Sequence, residues 1–115
     1  LGTMPLPIRH GEGKIFTLDN ELLGRIEAEG CVAARYVDKG NNPTQDFPSN
    51  PNGSLNAIAG LSDPTGRIFG MMPHPEAYLF PENHPNWDKQ KLEGKLPEQG
   101  LGLKLFQNAV KHILG

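Results

Sequence analysis

The chain has 115 residues, 37% of them hydrophobic and 21% charged, with 11 Lys and Arg against 13 Asp and Glu and a formal net charge of -2. That length suits one domain, and basic residues this scattered build no phosphate-binding face, which argues against nucleic acid as a partner. No apolar stretch approaches the roughly 20 residues that span a bilayer and no signal-like segment opens the chain, while a single cysteine, Cys31, allows neither an internal disulfide nor a thiolate zinc site and points to the cytoplasm.

Gly (14) and Pro (11) are abundant but aperiodic and interleaved with apolar runs, so a loop-rich globular piece is expected, with part of its core missing. Residues 4 to 16, MPLPIRHGEGKIF, read as a short extended run, a turn at His10-Gly11-Glu12-Gly13, and a second extended run, a bent or hairpin-like unit. In LDNELLGRIEAEG, Asp19 is a helix N-cap, Glu21 suits the first turn, Leu22, Leu23 and Ile26 share a side, and Gly30 is the stop. CVAARYVD, 31 to 38, suits a pleated surface and predicts a strand.

Residues 39 to 54 are a proline-rich loop almost without apolar side chains. LNAIAGLSD and GRIFGMM, joined through a Pro-Thr-Gly turn, predict a β-hairpin whose second strand delivers the chain to Pro73. The polar, proline-broken stretch 81 to 100 reads as a long excursion, a lid or a solvated loop. Leu103, Phe106, Val110, Ile113 and Leu114 recur at helical spacing and predict an amphipathic closing helix.

The chemistry concentrates at GMMPHPE. On an extended backbone, side chains two apart share a face, so His74 and Glu76 would meet at the end of the preceding strand, with Pro73 and Pro75 restricting the backbone around them. A histidine fixed by a carboxylate is the base-and-orienter part of a nucleophile triad; a surface hydrogen-bonded pair is the alternative that spacing alone leaves open. His10, Gly11 and Glu12 could frame a substrate or simply form a tight turn, and NPNGS reads as architectural. No histidine pair has the close helical spacing of a zinc motif, so no metal site is expected. His112 suits the negative end of the last helix. Trp87 could anchor a partner or pin the loop around it.

GRIFGMMPHPE resembles the end of class I, triad-type glutamine amidotransferase domains. PLPIRHGEGKIF, ARYVD and NPNGSLNAIAGLSDPTGRIFGMMPHPE together resemble the glutaminase component of phosphoribosylformylglycinamidine synthases, over residues 5 to 76 and less distinctly through the last helix. The resemblance implies an α/β fold, the C-terminal portion of a flavodoxin-like domain, with residues 1 to 115 as one domain. It further implies hydrolysis of glutamine to supply ammonia for purine synthesis, with His74 as triad base, Glu76 as orienter, and His10, Gly11 and Glu12 beside the glutamine. ATP and Mg would act on a separate synthase component, the expected partner.

Two departures from the family pattern stand out. The nucleophilic cysteine elbow belongs to a segment this sequence does not contain, since Cys31 lies in a strand pattern without flanking glycines and reads as structural, so the chain alone is expected to be inactive. Ala77 stands where the family commonly has arginine. A non-catalytic module of the same descent, or a glutaminase serving another acceptor, are the alternative readings. Strand edges exposed in such a piece imply self-association.

Overall fold

The computed structural model describes residues 2 to 115, which form two compact units: the N-terminal segment through Arg9 together with Pro73–Gly115, and His10–Met72.

Within His10–Met72 the elements are helix α1 (Asn20–Ala28) and strands β1 (Val32–Arg35), β2 (Ile58–Ser62) and β3 (Phe69–Met71). The strands form an antiparallel sheet in the order β1-β2-β3, with Gly60 opposite Met71, Leu61 opposite Gly70 and Ser62 opposite Phe69. This is a small α/β arrangement with the predicted hairpin in place. Its turn is organised by Asp63, whose carboxylate accepts from the Thr65 hydroxyl and from the Arg67 and Ile68 N–H groups, the last two at 2.9 Å. These hydrogen bonds, led by that of Thr65, hold the Asp63 carboxyl below the ordinary aspartate value. Gly66, at φ 72°, supplies the left-handed step that closes the turn.

Helix α1 starts as its sequence predicts: Asp19 Oδ1 accepts from Leu22 N at 2.8 Å, and Gly30 ends the segment at φ 69°. Its side chains are at most half-buried, so polar contacts tie it down. Arg35 on β1 pairs with Glu27 Oε2 at 2.5 Å and donates to the Asn56 carbonyl at 2.7 Å, and Asn56 Nδ2 donates to Glu27 Oε1 at 3.1 Å. This network surrounds two successive non-glycine residues in the left-handed region, Asn56 (φ 50°) and Ala57 (φ 58°), immediately before β2.

Expected extended runs on either side of His10–Gly13 are present only as irregular backbone, with a bend at Gly11–Glu12. Pro5 and Pro7 offer no N–H to a ladder. Ile15 bonds instead to the 50s loop, its N–H to Ser54 Oγ at 2.9 Å and its carbonyl accepting from Leu55 N at 3.1 Å. That loop is ordered by buried Asn50, 1% exposed, whose amide nitrogen reaches Thr44 O, Gln45 Oε1 and Ser54 O at 3.0 to 3.1 Å while Oδ1 accepts from Ser54 N at 2.9 Å. Such hydrogen bonds are worth about 1 kcal/mol each, net of the water they replace, so this side chain ties the two ends of the loop together.

In the other unit, the stretch 81 to 100, expected to be a lid or a solvated loop, contains helix α2 (Trp87–Leu92) after a short 3₁₀ turn at Pro81–Asn83. Prolines at 81 and 85 had argued against helix, yet both lie ahead of α2, where a missing N–H costs nothing. Helix α3 (Leu103–Leu114) forms as its periodicity predicts, but it closes no core: Phe106, Val110, Ile113 and Leu114 are 44 to 81% exposed. Among the described residues no helix is long and apolar enough to cross a membrane.

Candidate active site

The PHPE segment forms a single tight turn rather than the extended backbone its spacing suggested. Pro75–Ala77 is one 3₁₀ turn, closed by hydrogen bonds from Ala77 N to His74 O (3.1 Å) and from Tyr78 N to Pro75 O (3.0 Å). Pro75 sits at its first position, where φ is already suitable and no N–H is needed. The turn carries the Glu76 carboxylate back onto the ring, placing His74 Nδ1 2.5 Å from Glu76 Oε1. The pair predicted from the sequence therefore meets, but through a folded turn.

His74 is anchored on its main-chain side as well, its N–H donating to Pro7 O at 2.8 Å. Both side chains keep access to solvent, at 35% and 55% exposure. The hydrogen bond from His74, assisted by the backbone N–H of Glu76 and the positive charges of His74 and Arg9, holds the Glu76 carboxyl below the ordinary glutamate value. A carboxylate that stays ionised and bound to one ring nitrogen selects the tautomer and steadies the imidazolium form.

Two glycines outside the PHPE segment, Gly100 and Gly102, support this turn. Gly102 N donates to Tyr78 O and Gly100 N to Leu79 O, each at 3.0 Å. A Cβ at Gly102 would lie 2.0 Å from the Pro75 carbonyl oxygen, and one at Gly100 would lie 2.3 Å from that of Tyr78. Neither glycine needs a positive φ; what requires them is main chain packed directly on main chain. The G-L-G spacing just ahead of a helix is the only sequence signal for this packing.

His10, Gly11, Glu12 and Gly13 form a bend in the other unit, with Gly11 and Glu12 exposed and His10 half-buried. Asn52, in the NPNGS loop, reaches both His10 and Gly13 through its side-chain nitrogen. Cys31 is buried at 7% exposure, just ahead of β1, with Sγ 3.9 Å from Glu29 O, a structural setting. His84 accepts from Asn86 N at 3.0 Å and stacks obliquely near Tyr78, with ring centroids 5.9 Å apart. His112 is exposed in the last turn of α3, and Trp87 opens α2 at 37% exposure. Among the described residues no group of three or more His, Cys, Asp or Glu side chains is placed to hold a metal ion.

A family model, the CobB/CobQ-like glutamine amidotransferase domain, matches residues 1 to 113. Among curated proteins, the phosphoribosylformylglycinamidine synthase subunit PurQ of Dehalococcoides mccartyi is 41% identical over 106 residues, 92% of this chain and 38% of that protein. The phosphoribosylformylglycinamidine synthase of Saccharomyces cerevisiae is 43% identical over 111 residues, 96% of this chain and 8% of that protein. The chain thus spans well under half the length of either relative. With the matched domain covering nearly all of it, the chain belongs to the CobB/CobQ-like glutamine amidotransferase family.

Proposed function

We propose that the chain contributes the base and its orienter to a glutaminase that feeds ammonia to phosphoribosylformylglycinamidine synthesis, a step of purine biosynthesis. The observation that carries this reading is the His74–Glu76 hydrogen bond inside a PHPE turn, in a chain of this family. Names of the two relatives favour this acceptor over others. The reading treats residues 1 to 115 as part of one flavodoxin-like glutaminase domain and makes the protein cytoplasmic. It places ATP and Mg on the synthase component, which is the partner. His10, Gly11 and Glu12 are assigned to the glutamine pocket.

With Glu76 accepting from Nδ1–H, Nε2 of His74 is the basic nitrogen. It takes the proton of a cysteine thiol from outside these 115 residues as the sulfur bonds to the carboxamide carbon of glutamine. The imidazolium then protonates the leaving nitrogen, which departs as ammonia and leaves a thioester. Water, deprotonated by Nε2 of His74, attacks the thioester and releases glutamate, and the imidazolium returns its proton to the sulfur to restore the thiol. Base and orienter without nucleophile leave the chain alone inactive. The apolar stripe of α3 and the open edges of β1 and β3 make self-association of the isolated chain part of this reading.

Glutamine hydrolysis by the full-length protein containing this chain tests the assignment. Replacing His74 by Ala removes turnover to background, and Glu76→Gln lowers kcat by about 10²- to 10⁴-fold through loss of the orienting carboxylate. Wild-type turnover in the folded His74→Ala protein overturns it.

A further inference from the structure

The NPNGS loop runs alongside the residues that follow His10, and its Asn52 is placed to do more than shape a turn. The side-chain nitrogen of Asn52 lies 2.9 Å from Gly13 O and 3.1 Å from His10 Nδ1. A carbonyl oxygen only accepts, so the atom facing Gly13 is the amide nitrogen, and turning the amide over would oppose two oxygens. Its second hydrogen then points at His10 Nδ1, which must accept. A ring that accepts at Nδ1 carries its proton on Nε2.

The geometry around the contact leaves little freedom. A Cβ at Gly13 would lie 2.2 Å from the Met72 methyl carbon, which can swing away, and 2.8 Å from His10 Nδ1, so a side chain at that position would press on the imidazole that Asn52 meets. Two residues further on, Ser54 Oγ accepts from Ile15 N at 2.9 Å, pinning the same loop to the same segment. One amide thus joins ring and main chain at the two ends of the His10–Gly13 bend.

We propose that Asn52 is a positioning residue that fixes His10 in the Nε2–H tautomer and so presents the His10–Gly13 bend in one hydrogen-bonding state. This deepens the glutaminase reading and rests on it for one point only, that the bend lines the glutamine pocket. Asn52 touches no substrate and acts through His10.

The test is nitrogen NMR of the full-length protein with isotope-labelled histidine, above the pH at which imidazoles protonate. His10 shows a protonated Nε2 and an unprotonated Nδ1. In Asn52→Asp the donor becomes a carboxylate, and His10 acquires a proton at Nδ1, as the other tautomer or as imidazolium. In Asn52→Ala the KM for glutamine rises about tenfold while kcat changes less, the pattern of a lost binding contact. A protonated Nδ1 in the wild-type protein overturns the proposal without any variant. An Asn52→Asp protein whose His10 keeps the wild-type tautomer overturns it too, and leaves the His74–Glu76 reading untouched. Conversely, turnover surviving His74→Ala removes the glutaminase reading while the tautomer measurement still decides the role of Asn52.

Discussion

Gly102→Ala is the substitution for which the structure yields a magnitude most directly. The added methyl would sit 2.0 Å from Pro75 O and 2.8 Å from both Pro75 C and Tyr78 O, where real contacts do not fall below 3.0 Å. All three atoms are main chain, so no side chain can rotate away, and the Pro75 carbonyl has to retreat by about 1 Å. Pro75 is bonded directly to His74 and to Glu76, so the shift passes into both members of the hydrogen-bonded pair proposed as base and orienter. A misplacement of about 1 Å typically costs about 10²-fold in rate, and overpacking costs about 1 to 3 kcal/mol in stability. Steady-state glutamine hydrolysis by the full-length protein should therefore show kcat reduced about 10²-fold, with a modest fall in melting temperature. Gly24→Ala is the control: it lies on an exposed face of α1, a Cβ there meets no atom within 4 Å, and the change should leave activity alone while adding about 0.5 to 1 kcal/mol. A folded Gly102→Ala protein with wild-type kcat would refute the claim that backbone packing at this glycine sets the dyad.

The Glu76 carboxyl, followed by carbon NMR, should titrate below the ordinary glutamate value and move back up in His74→Phe, which removes the largest cause of the shift. Because the folded value is the lower one, the pairing contributes stability above the unfolded glutamate pKa of about 4.3 and loses it as pH falls through the folded value. A wild-type carboxyl titrating at or above the ordinary value contradicts the pairing. In light scattering the isolated chain should be larger than a monomer, and Val110→Glu with Ile113→Glu on the exposed stripe of α3 should shift it toward the monomer. A monodisperse wild-type monomer at high concentration is the opposing result.

Sequence legibility followed the range of the interactions involved. Helix α1, the β2–β3 hairpin and α3 are local objects, specified by Asp19 and Gly30, by the Asp63–Gly66 turn, and by apolar periodicity. The pairing of His74 with Glu76 was legible for the same reason, although its backbone was not: proline restricts φ in extended and 3₁₀ conformations alike. Helix α2 escaped because prolines beside a short polar segment look like a break until their positions ahead of its first turn are known. The contacts of Gly100, Gly102 and Asn52 were not legible because their partners lie far away in sequence, 42 residues for Asn52 and His10. The lack of burial along α3 was not legible either, since periodicity gives a face but not its occupant.

Asn56 and Ala57 enter β2 in a backbone region that L-residues avoid, at roughly 1 to 2 kcal/mol each. Local preference therefore works against the start of the strand, and Glu27 and Arg35 hold the joint in place from outside it. α1, which buries none of its side chains completely, thereby acts as a latch on a sheet it hardly packs against. The Glu27 carboxyl is held below its ordinary value chiefly by Arg35, so sufficiently acid solution, by protonating it, would spring that latch and loosen the strand entrance.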